Sequence, residues 1–253
     1  MTTFPKKVGL IQRVLPHYRV PFFNALGQAC LGGLNIFTGQ SREEEMIKPV
    51  DELAHAQVVK GKNIHLFKGA LYLCLQLGLK TWLKDLDPDI LIVEANPRYL
   101  ITPSAVHWMH KKGRPVIGWG LGAHEISGPL AKLRQKRRKK FITQFDALIT
   151  YSRTGASEYA RLGFPEDRIF IAPNAVSPRP THALPDRPNP EEAQKMRVLF
   201  VGRLQERKNL DKLIVACSEL PTALQMELVI VGDGPDQTRL KELAAQIYPQ
   251  TIF

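Results

Sequence analysis

Apolar runs of strand length recur along the chain without strict polar alternation, a pattern typical of parallel strands covered on both faces. In chain order they are residues 8–15, 34–37, 64–67, 90–93, 116–119, 147–151 and 169–172. The segments between them have helical spacing, as in Leu71, Leu75, Leu79, Trp82, Leu83 and Leu86. Residues 1–176 therefore predict an α/β domain, Rossmann-like, with a largely parallel sheet.

A proline-rich segment follows, which we take as a linker over residues 177–196. Its prolines are Pro178, Pro180, Pro185, Pro188 and Pro190. Proline fixes φ and removes a backbone donor, so this density disfavours both helices and central strands. A second βα series then begins, with strands predicted over 197–201 and 227–231 and helices over about 209–220 and 236–247. Two βα units are a thin basis for an independent core, so residues 197–253 predict the first part of a second Rossmann-like domain.

Basic residues exceed acidic ones, giving a formal net charge of +11, and much of this excess lies in one short run. The run contains Lys132, Arg134, Lys136, Arg137, Arg138, Lys139 and Lys140. Such a cluster can attract anionic lipid, nucleic acid or an acidic substrate, whereas the alternative is a solvated helix face. No recognised nucleic-acid reader motif or aromatic platform accompanies it, so we expect no nucleic-acid partner.

Targeting and redox signals are sparse. The N-terminus lacks the features of a signal peptide, and no apolar stretch approaches the roughly 20 residues that span a bilayer. The three cysteines form no CxxC pair and suggest neither a disulfide framework nor a zinc site. These patterns predict a cytoplasmic protein with buried thiols and without a bound metal. Because of the basic run, we also expect peripheral contact with the inner face of the membrane.

The strand ending at Val201 leads into a candidate anion site. Gly202 and Arg203 follow it at once, and Lys208 stands at the expected start of a helix. Ligands of open parallel sheets bind beyond the carboxyl ends of strands, where helix N-termini favour phosphate. Arg203 offers a forked donor set and Lys208 a point charge, which together suit a diphosphate. Two solvated cations in a turn are the alternative.

A glycine pair follows the next strand, in the sequence VGDGP that includes Gly234. A dinucleotide fingerprint, GxGxxG, would need glycine at position 237, where the chain has Gln237. A tight turn accounts for these glycines as well as contact with a ligand does.

Four segments together resemble the family 4 (group 1) glycosyltransferases, enzymes of the two-domain GT-B fold. They are VGRLQERKNLDKLI, LVIVGDGPDQTRLKELA, FDALITYSRTGASEYARLGFPEDRIFIAPNAV and HYRVPFFNAL. The resemblance implies a nucleotide-sugar donor held by the C-terminal domain, a glycan or lipid-linked acceptor held by the N-terminal one, transfer with retention, and neither a cofactor nor a metal. It implies that Arg203 and Lys208 hold the donor diphosphate, with Gly202 and Gly234 as positions of close backbone approach.

On the acceptor side, the resemblance implies a histidine near the transferred sugar. His124 is the best positional match, with an ordinary structural role as the alternative. Three residues stand where many family members have glycines after the first strand, and they are candidates to line the cleft: His17, Tyr18 and Arg19. Glu94 and Asn96, at the end of another strand, are further acceptor-side candidates.

Family members also carry two glutamates in an E-x7-E motif downstream of the GDGP turn, and this motif is absent before Phe253. We therefore expect a C-terminally truncated enzyme of polysaccharide or glycolipid biosynthesis. The alternative is a non-catalytic acceptor-binding or regulatory fragment. Nucleotide-sugar 2-epimerases share the GT-B fold, but the quoted segments match the transferases better.

Overall fold

The computed structural model describes residues 3–173, 181–183 and 196–253. The chain forms two compact units, Met1–Arg179 and Pro180–Phe253. The five prolines of the expected linker lie outside the described residues.

Nine strands are described in the N-terminal unit. They are β1 (Val8–Val14), β2 (Leu34–Gly39), β3 (Gln57–Lys60), β4 (Lys62–Leu66), β5 (Leu73–Leu77), β6 (Ile90–Glu94), β7 (Val116–Gly120), β8 (Ala147–Thr150) and β9 (Ile169–Ile171). Seven of them form one sheet in the order β3-β2-β1-β6-β7-β8-β9, with every neighbouring pair parallel. The strand order reverses between β1 and β6, which makes this the topological switch point of the sheet.

Five α-helices accompany these strands. They are α1 (Val20–Ala29), α2 (Leu79–Leu86), α3 (Thr102–Lys111), α4 (Ala131–Ile142) and α5 (Arg153–Arg161). The sheet is covered on both faces, because alternate residues of β6 enter opposite cores. Leu91 and Val93 pack in a cluster with Met109 of α3 and Tyr159 of α5, whereas Ile92 packs in the cluster of Phe23 from α1. This two-sided burial explains the unbroken apolar runs.

The expected parallel sheet is confirmed, and six of the seven apolar runs form its strands. The run at 64–67 lies outside it, and the helix expected from Leu71 was also wrong. The leucine spacing from Leu71 predicted a helix, and the helix begins only at Leu79. Residues before it form β5, which pairs antiparallel with β4 in a separate two-stranded sheet. Cys74 and Gln76 are buried on one side of β5, so period-two burial outweighed the helical spacing of the leucines. Strand β3 had no strong apolar signal and was not predicted.

The C-terminal unit contains two βα units within its described residues. They are β10 (Arg197–Val201) with α6 (Leu210–Ser218), and β11 (Glu227–Val231) with α7 (Gln237–Ile247). The two strands pair in parallel, with Val198 opposite Leu228. Its core includes Leu204, Ile214 and Tyr248. The expected βα pattern is therefore present, with α6 shorter than predicted.

The three cysteines are free and buried, as expected. Within the described residues, every helix falls short of the length and apolar content that a membrane-spanning helix requires.

Candidate functional site

A cleft of about 650 Å³ opens at the carboxyl ends of β1, β6, β7 and β8. Each strand end contributes to its wall: Arg19 follows β1, Glu94 ends β6, Gly120 ends β7, and Tyr151 follows β8. These strands flank the switch point of the sheet, where ligands of open α/β sheets bind. The cleft is therefore the candidate site of the N-terminal unit.

One wall of the cleft is aromatic. The Trp119 ring packs against the rings of Phe22 and Tyr151, at centroid distances of 5.5 and 5.8 Å. The guanidinium of Arg19 lies 5.5 Å from the centroid of Trp119 and donates from Nη2 to the Tyr151 hydroxyl at 3.0 Å. Arg19 Nε and Trp119 Nε1 are buried and have no protein partner in the described part of the chain. The wall thus keeps two unpaired N–H donors.

The cleft also contains a histidine that is hydrogen-bonded to a carboxylate. His124 Nδ1 lies 2.7 Å from Glu158 Oε1, a carboxylate oxygen that accepts the ring N–H. Glu158 is buried on α5, whereas about three quarters of the His124 side chain is exposed. With Nδ1 engaged in this way, Nε2 is the ring nitrogen available to a ligand.

The loop after β7 positions His124 through close packing on α5. Gly122 has φ +131°, and a Cβ there would lie 2.3 Å from Glu158 Oε2. Its backbone N–H donates to the Tyr159 hydroxyl at 3.3 Å. Helix α5 is itself fixed at its start, where the Ser152 hydroxyl accepts the N–H of Gly155. Glycine at position 122 therefore allows the loop to bring His124 to Glu158.

Glu94 and Asn96 both line the cleft. Glu94 Oε2 accepts the backbone N–H of Arg13 at 2.6 Å, and burial raises the pKa of its carboxyl above the ordinary value. Asn96 Oδ1 accepts the backbone N–H of Arg98 at 3.1 Å. Both side chains thus shape the strand end as well as facing the site.

Of the three candidates that follow the first strand, only one lines the cleft. Arg19 lines the cleft, whereas His17 and Tyr18 of the same short 3-10 turn are not among its lining residues. His17 is exposed, and its backbone N–H donates to the Lys48 carbonyl. Its ring packs edge-on against Tyr18, at 5.7 Å.

The basic run forms helix α4, and its cations do not all point the same way. Six of them are exposed: Lys132, Arg134, Lys136, Arg137, Lys139 and Lys140. Arg138 differs from the grouping expected for it, because its side chain is half-buried, lines the cleft and donates from Nη1 to the His124 carbonyl. Helix α4 therefore has one arginine in the candidate site and six cations facing solvent.

In the C-terminal unit, the expected phosphate-binding residues lie at the carboxyl end of β10. Arg203 is half-buried in the loop after the strand, and Lys208 is exposed at the end of a 3-10 turn that precedes α6. Asn209 precedes the helix with φ 52° and makes no side-chain capping bond. The first N–H groups of α6 are thus without a side-chain cap.

The two loops of this unit pack tightly against each other. Leu204 donates its N–H to the Asp233 carbonyl at 2.9 Å, and Asp236 donates to the Leu204 carbonyl at 3.1 Å. Gly234 is buried between them, and a Cβ there would lie 2.1 Å from the Leu204 carbonyl oxygen. Loop packing by itself accounts for glycine at position 234.

Sequence patterns did not indicate Glu158, Arg98, Trp119 or Tyr151 as site residues. A usable signal existed for Glu158, which occupies the same helical face as the buried residues Gly155, Tyr159 and Leu162. An acid on a buried face needs a partner. No group of three or more His, Cys, Asp or Glu side chains that could hold a metal lies within the residues described.

Two models of known protein families match the sequence of this chain. Residues 36–179, more than half of the chain, match the family described as Glycosyltransferase Family 4. The chain belongs to glycosyltransferase family 4. Residues 185–251 match a second family description, Glycosyl transferases group 1. No protein of curated function matches the sequence.

Solved structures agree on the GT-B fold at low identity. A lipopolysaccharide outer core galactosyltransferase, WaaB, is 17% identical, with a TM-score of 0.58 over 97% of this chain and 67% of its own. Anabaena HepE, solved with UDP-glucose, is 14% identical, with a TM-score of 0.55 over 98% of this chain and 68% of its own. A putative UDP-N-acetylglucosamine 2-epimerase from Listeria monocytogenes is 16% identical, with a TM-score of 0.54 over 100% of this chain and 69% of its own.

This family 4 chain thus spans about two thirds of the length of the structures that it matches. At these identities the likeness concerns the fold. The expected family and GT-B fold are confirmed.

Proposed function

We propose that this family 4 chain transfers a sugar, with retention, from a nucleotide-sugar donor to a glycan or lipid-linked acceptor in polysaccharide or glycolipid biosynthesis. Family membership supports the reaction class. The observation that carries the proposal is the cleft at the switch point, where His124 is held by a buried carboxylate beside unpaired donors.

His124 is the candidate to contact the transferred sugar. Its Nδ1–H bond to Glu158 holds the ring and leaves Nε2 to bond a sugar hydroxyl. A fixed ring loses little freedom on binding, so its hydrogen bond can favour the transition state over the ground state. Replacing His124 with alanine should lower kcat more than it raises KM, and a change in KM alone would contradict this role.

Arg203 and Lys208 are the candidates to hold the donor diphosphate. Both lie at the carboxyl end of β10, near the uncapped start of α6. Negative charge grows on the departing phosphate oxygen during transfer, and fixed cations stabilise that charge. HepE was solved with UDP-glucose, which supports a nucleotide sugar as the donor class and makes UDP-glucose the first donor to test.

A transfer assay with purified protein tests the proposal, using a panel of nucleotide sugars and lipid-linked or oligosaccharide acceptors. Lys208→Gln should weaken donor binding about 10- to 100-fold, because one charge-assisted phosphate contact is lost. Lys212→Gln, at an exposed lysine of α6, is the matched control and should have no effect. Donor binding without product under any condition would favour the non-catalytic alternative.

Helix α4 supports peripheral contact with an anionic membrane at its inner face. Its six exposed cations lie beside two exposed leucines, Leu130 and Leu133, so the surface offers both charge and apolar contact. Each cation near an anionic surface contributes about 1 kcal/mol. Replacing the six cations with glutamine should abolish sedimentation with phosphatidylserine vesicles at low salt, and unchanged sedimentation would remove this part of the proposal.

A further inference from the structure

Three arginines line the cleft without a carboxylate partner among the residues described. Arg19, Arg98 and Arg138 line it from three different segments of the chain, and no carboxylate lies within ion-pairing distance of any of them in the described residues. The contrast concerns Arg19 and Arg138, which are half-buried, because Arg98 is exposed and other half-buried arginines of this unit do have carboxylate partners. Arg13 binds Glu45 in a bidentate pair, and Arg114 binds Asp87.

The polar contacts of the three cleft arginines leave much of their donor capacity unused. Arg19 donates to the Tyr151 hydroxyl, and its Nε has no partner in the described part of the chain. Arg138 donates only to a backbone carbonyl, and no hydrogen bond of the Arg98 side chain is found among the described residues. A guanidinium has five N–H donors. Because Arg19 Nε is buried from solvent, the donors left for a ligand are the unused Nη groups of Arg19 and Arg138 and the guanidinium of Arg98.

The charges of the cleft are also unbalanced. Burial lowers the pKa of Arg138, the positive charges of Arg134 and Arg98 lower it further, and Tyr159 and Glu158 act in the opposite direction. Two carboxylates offset part of this charge, and each has one oxygen in a hydrogen bond, since Glu94 accepts a backbone N–H and Glu158 accepts from the His124 ring. Three arginines against two carboxylates leave a positive surplus. A surplus of positive charge in a concave site raises the local concentration of anions.

We propose that this cleft binds a phosphate group of the acceptor through Arg19, Arg98 and Arg138. The inference rests on the proposed function and specifies the chemical class of its acceptor. A carboxylate has two oxygens and is satisfied by one guanidinium fork, whereas a phosphate has enough oxygens to accept from three. The volume of about 650 Å³ lies within the usual range for small-molecule sites and admits a phosphorylated sugar against the Trp119 wall.

Binding measurements on the full chain test the inference without requiring turnover. The probes are glucose 6-phosphate and octyl phosphate, compared with glucose and octanol, by saturation-transfer NMR and titration. At least one phosphorylated probe should bind at least tenfold tighter than its neutral counterpart, and which one binds identifies a sugar-borne or lipid-borne phosphate. Equal binding of each phosphorylated probe and its neutral counterpart would overturn the inference.

Arg98→Gln is the primary variant, because this exposed side chain makes no hydrogen bond or ion pair within the described residues whose loss would disturb the fold. It should weaken binding of the phosphorylated probe about tenfold, as expected for one charge-assisted hydrogen bond. Arg138→Lys, which keeps the charge but loses the fork, should weaken it less than Arg138→Gln. Arg168→Gln, at an exposed arginine of the turn before β9 and outside both the cleft and α4, is the matched control and should leave binding unchanged. An equal loss in this control would overturn the inference.

UDP, as a probe for the donor, distinguishes binding of donor phosphate from binding of acceptor phosphate. If Arg98→Gln weakens UDP binding and leaves the phosphorylated acceptor probes unchanged, the assignment to the acceptor is wrong. Phosphate-dependent binding in the cleft without sugar transfer would sustain this inference while the proposed function fails. Efficient transfer to a neutral acceptor, unaffected by Arg98→Gln, would sustain the proposed function while this inference fails.

Discussion

Replacing Gly234 with alanine tests whether this glycine joins two loops or serves a ligand. The added Cβ would lie 2.1 Å from the Leu204 carbonyl oxygen, which is backbone and cannot rotate away. Relief requires the loops to separate by about 1 Å. That movement would break the Leu204 to Asp233 and Asp236 to Leu204 hydrogen bonds, of 2.9 and 3.1 Å. At about 1 kcal/mol each, the free energy of unfolding of the C-terminal unit should fall by roughly 2 kcal/mol.

Gly202 supplies the matched control, since it lies in the facing loop and was also expected to approach the donor. A Cβ at Gly202 would lie 3.1 Å from the Phe200 ring, a side chain that can shift by a few tenths of an ångström. Gly202→Ala should therefore leave the stability of the unit nearly unchanged. Any effect of Gly202→Ala on nucleotide-sugar binding would then report close approach of the donor.

Hydrogen exchange with mass spectrometry measures both variants, because it resolves the C-terminal unit from the rest of the chain. A loss of roughly 2 kcal/mol raises the exchange rate of the core amides of β10 and β11 about 30-fold. Amides of β1 and β6 serve as the internal reference. Unchanged protection in Gly234→Ala, or an equal loss in Gly202→Ala, would refute the packing argument.

Three further predictions concern stability. Burial raises the pKa of Glu94, so the native state binds its proton more tightly than the unfolded state and stability falls as pH rises above 4.5. Glu94→Gln should therefore melt higher than the wild type at pH 7 but not at pH 4. Hydrogen bonds from Arg114 and then Lys112 lower the pKa of Asp87 to about 2, so the advantage of the wild type over Asp87→Asn should be present at pH 6 and vanish as pH falls towards 2. Tyr248→Phe removes a 2.6 Å bond to a backbone carbonyl and should cost about 1 kcal/mol in urea unfolding.

The fold was largely predictable, because strands buried on both faces leave a signal that local sequence carries. Strands β6 and β7 read as short unbroken apolar runs, and their positions were predicted closely. Strand β5 was mistaken for a helix because leucines four residues apart also occur, by chance, in a strand. Its pairing with β4 is a tertiary contact that local spacing does not encode.

The site was less predictable, because its residues come from loops that only the sheet topology brings together. Arg19 and Tyr151 are in hydrogen-bonding contact although 132 positions separate them. The sequence shows the basic run directly. It does not show that the Arg138 side chain enters the cleft, because that depends on which face of α4 packs against the rest of the unit. Glu158 lies within a segment used to recognise the family, yet its role becomes visible only when the β7 loop reaches α5.

The central position of β1 has a consequence for synthesis of the chain. This strand pairs on one side with β2 and on the other with β6, whose first residue, Ile90, lies opposite Val8. About 80 residues separate these partners, which at ordinary translation rates corresponds to roughly 4 to 16 s. During that interval one edge of β1 has unpaired backbone N–H and C=O groups beside apolar side chains, so the nascent N-terminal unit is a natural client for chaperones that bind apolar segments.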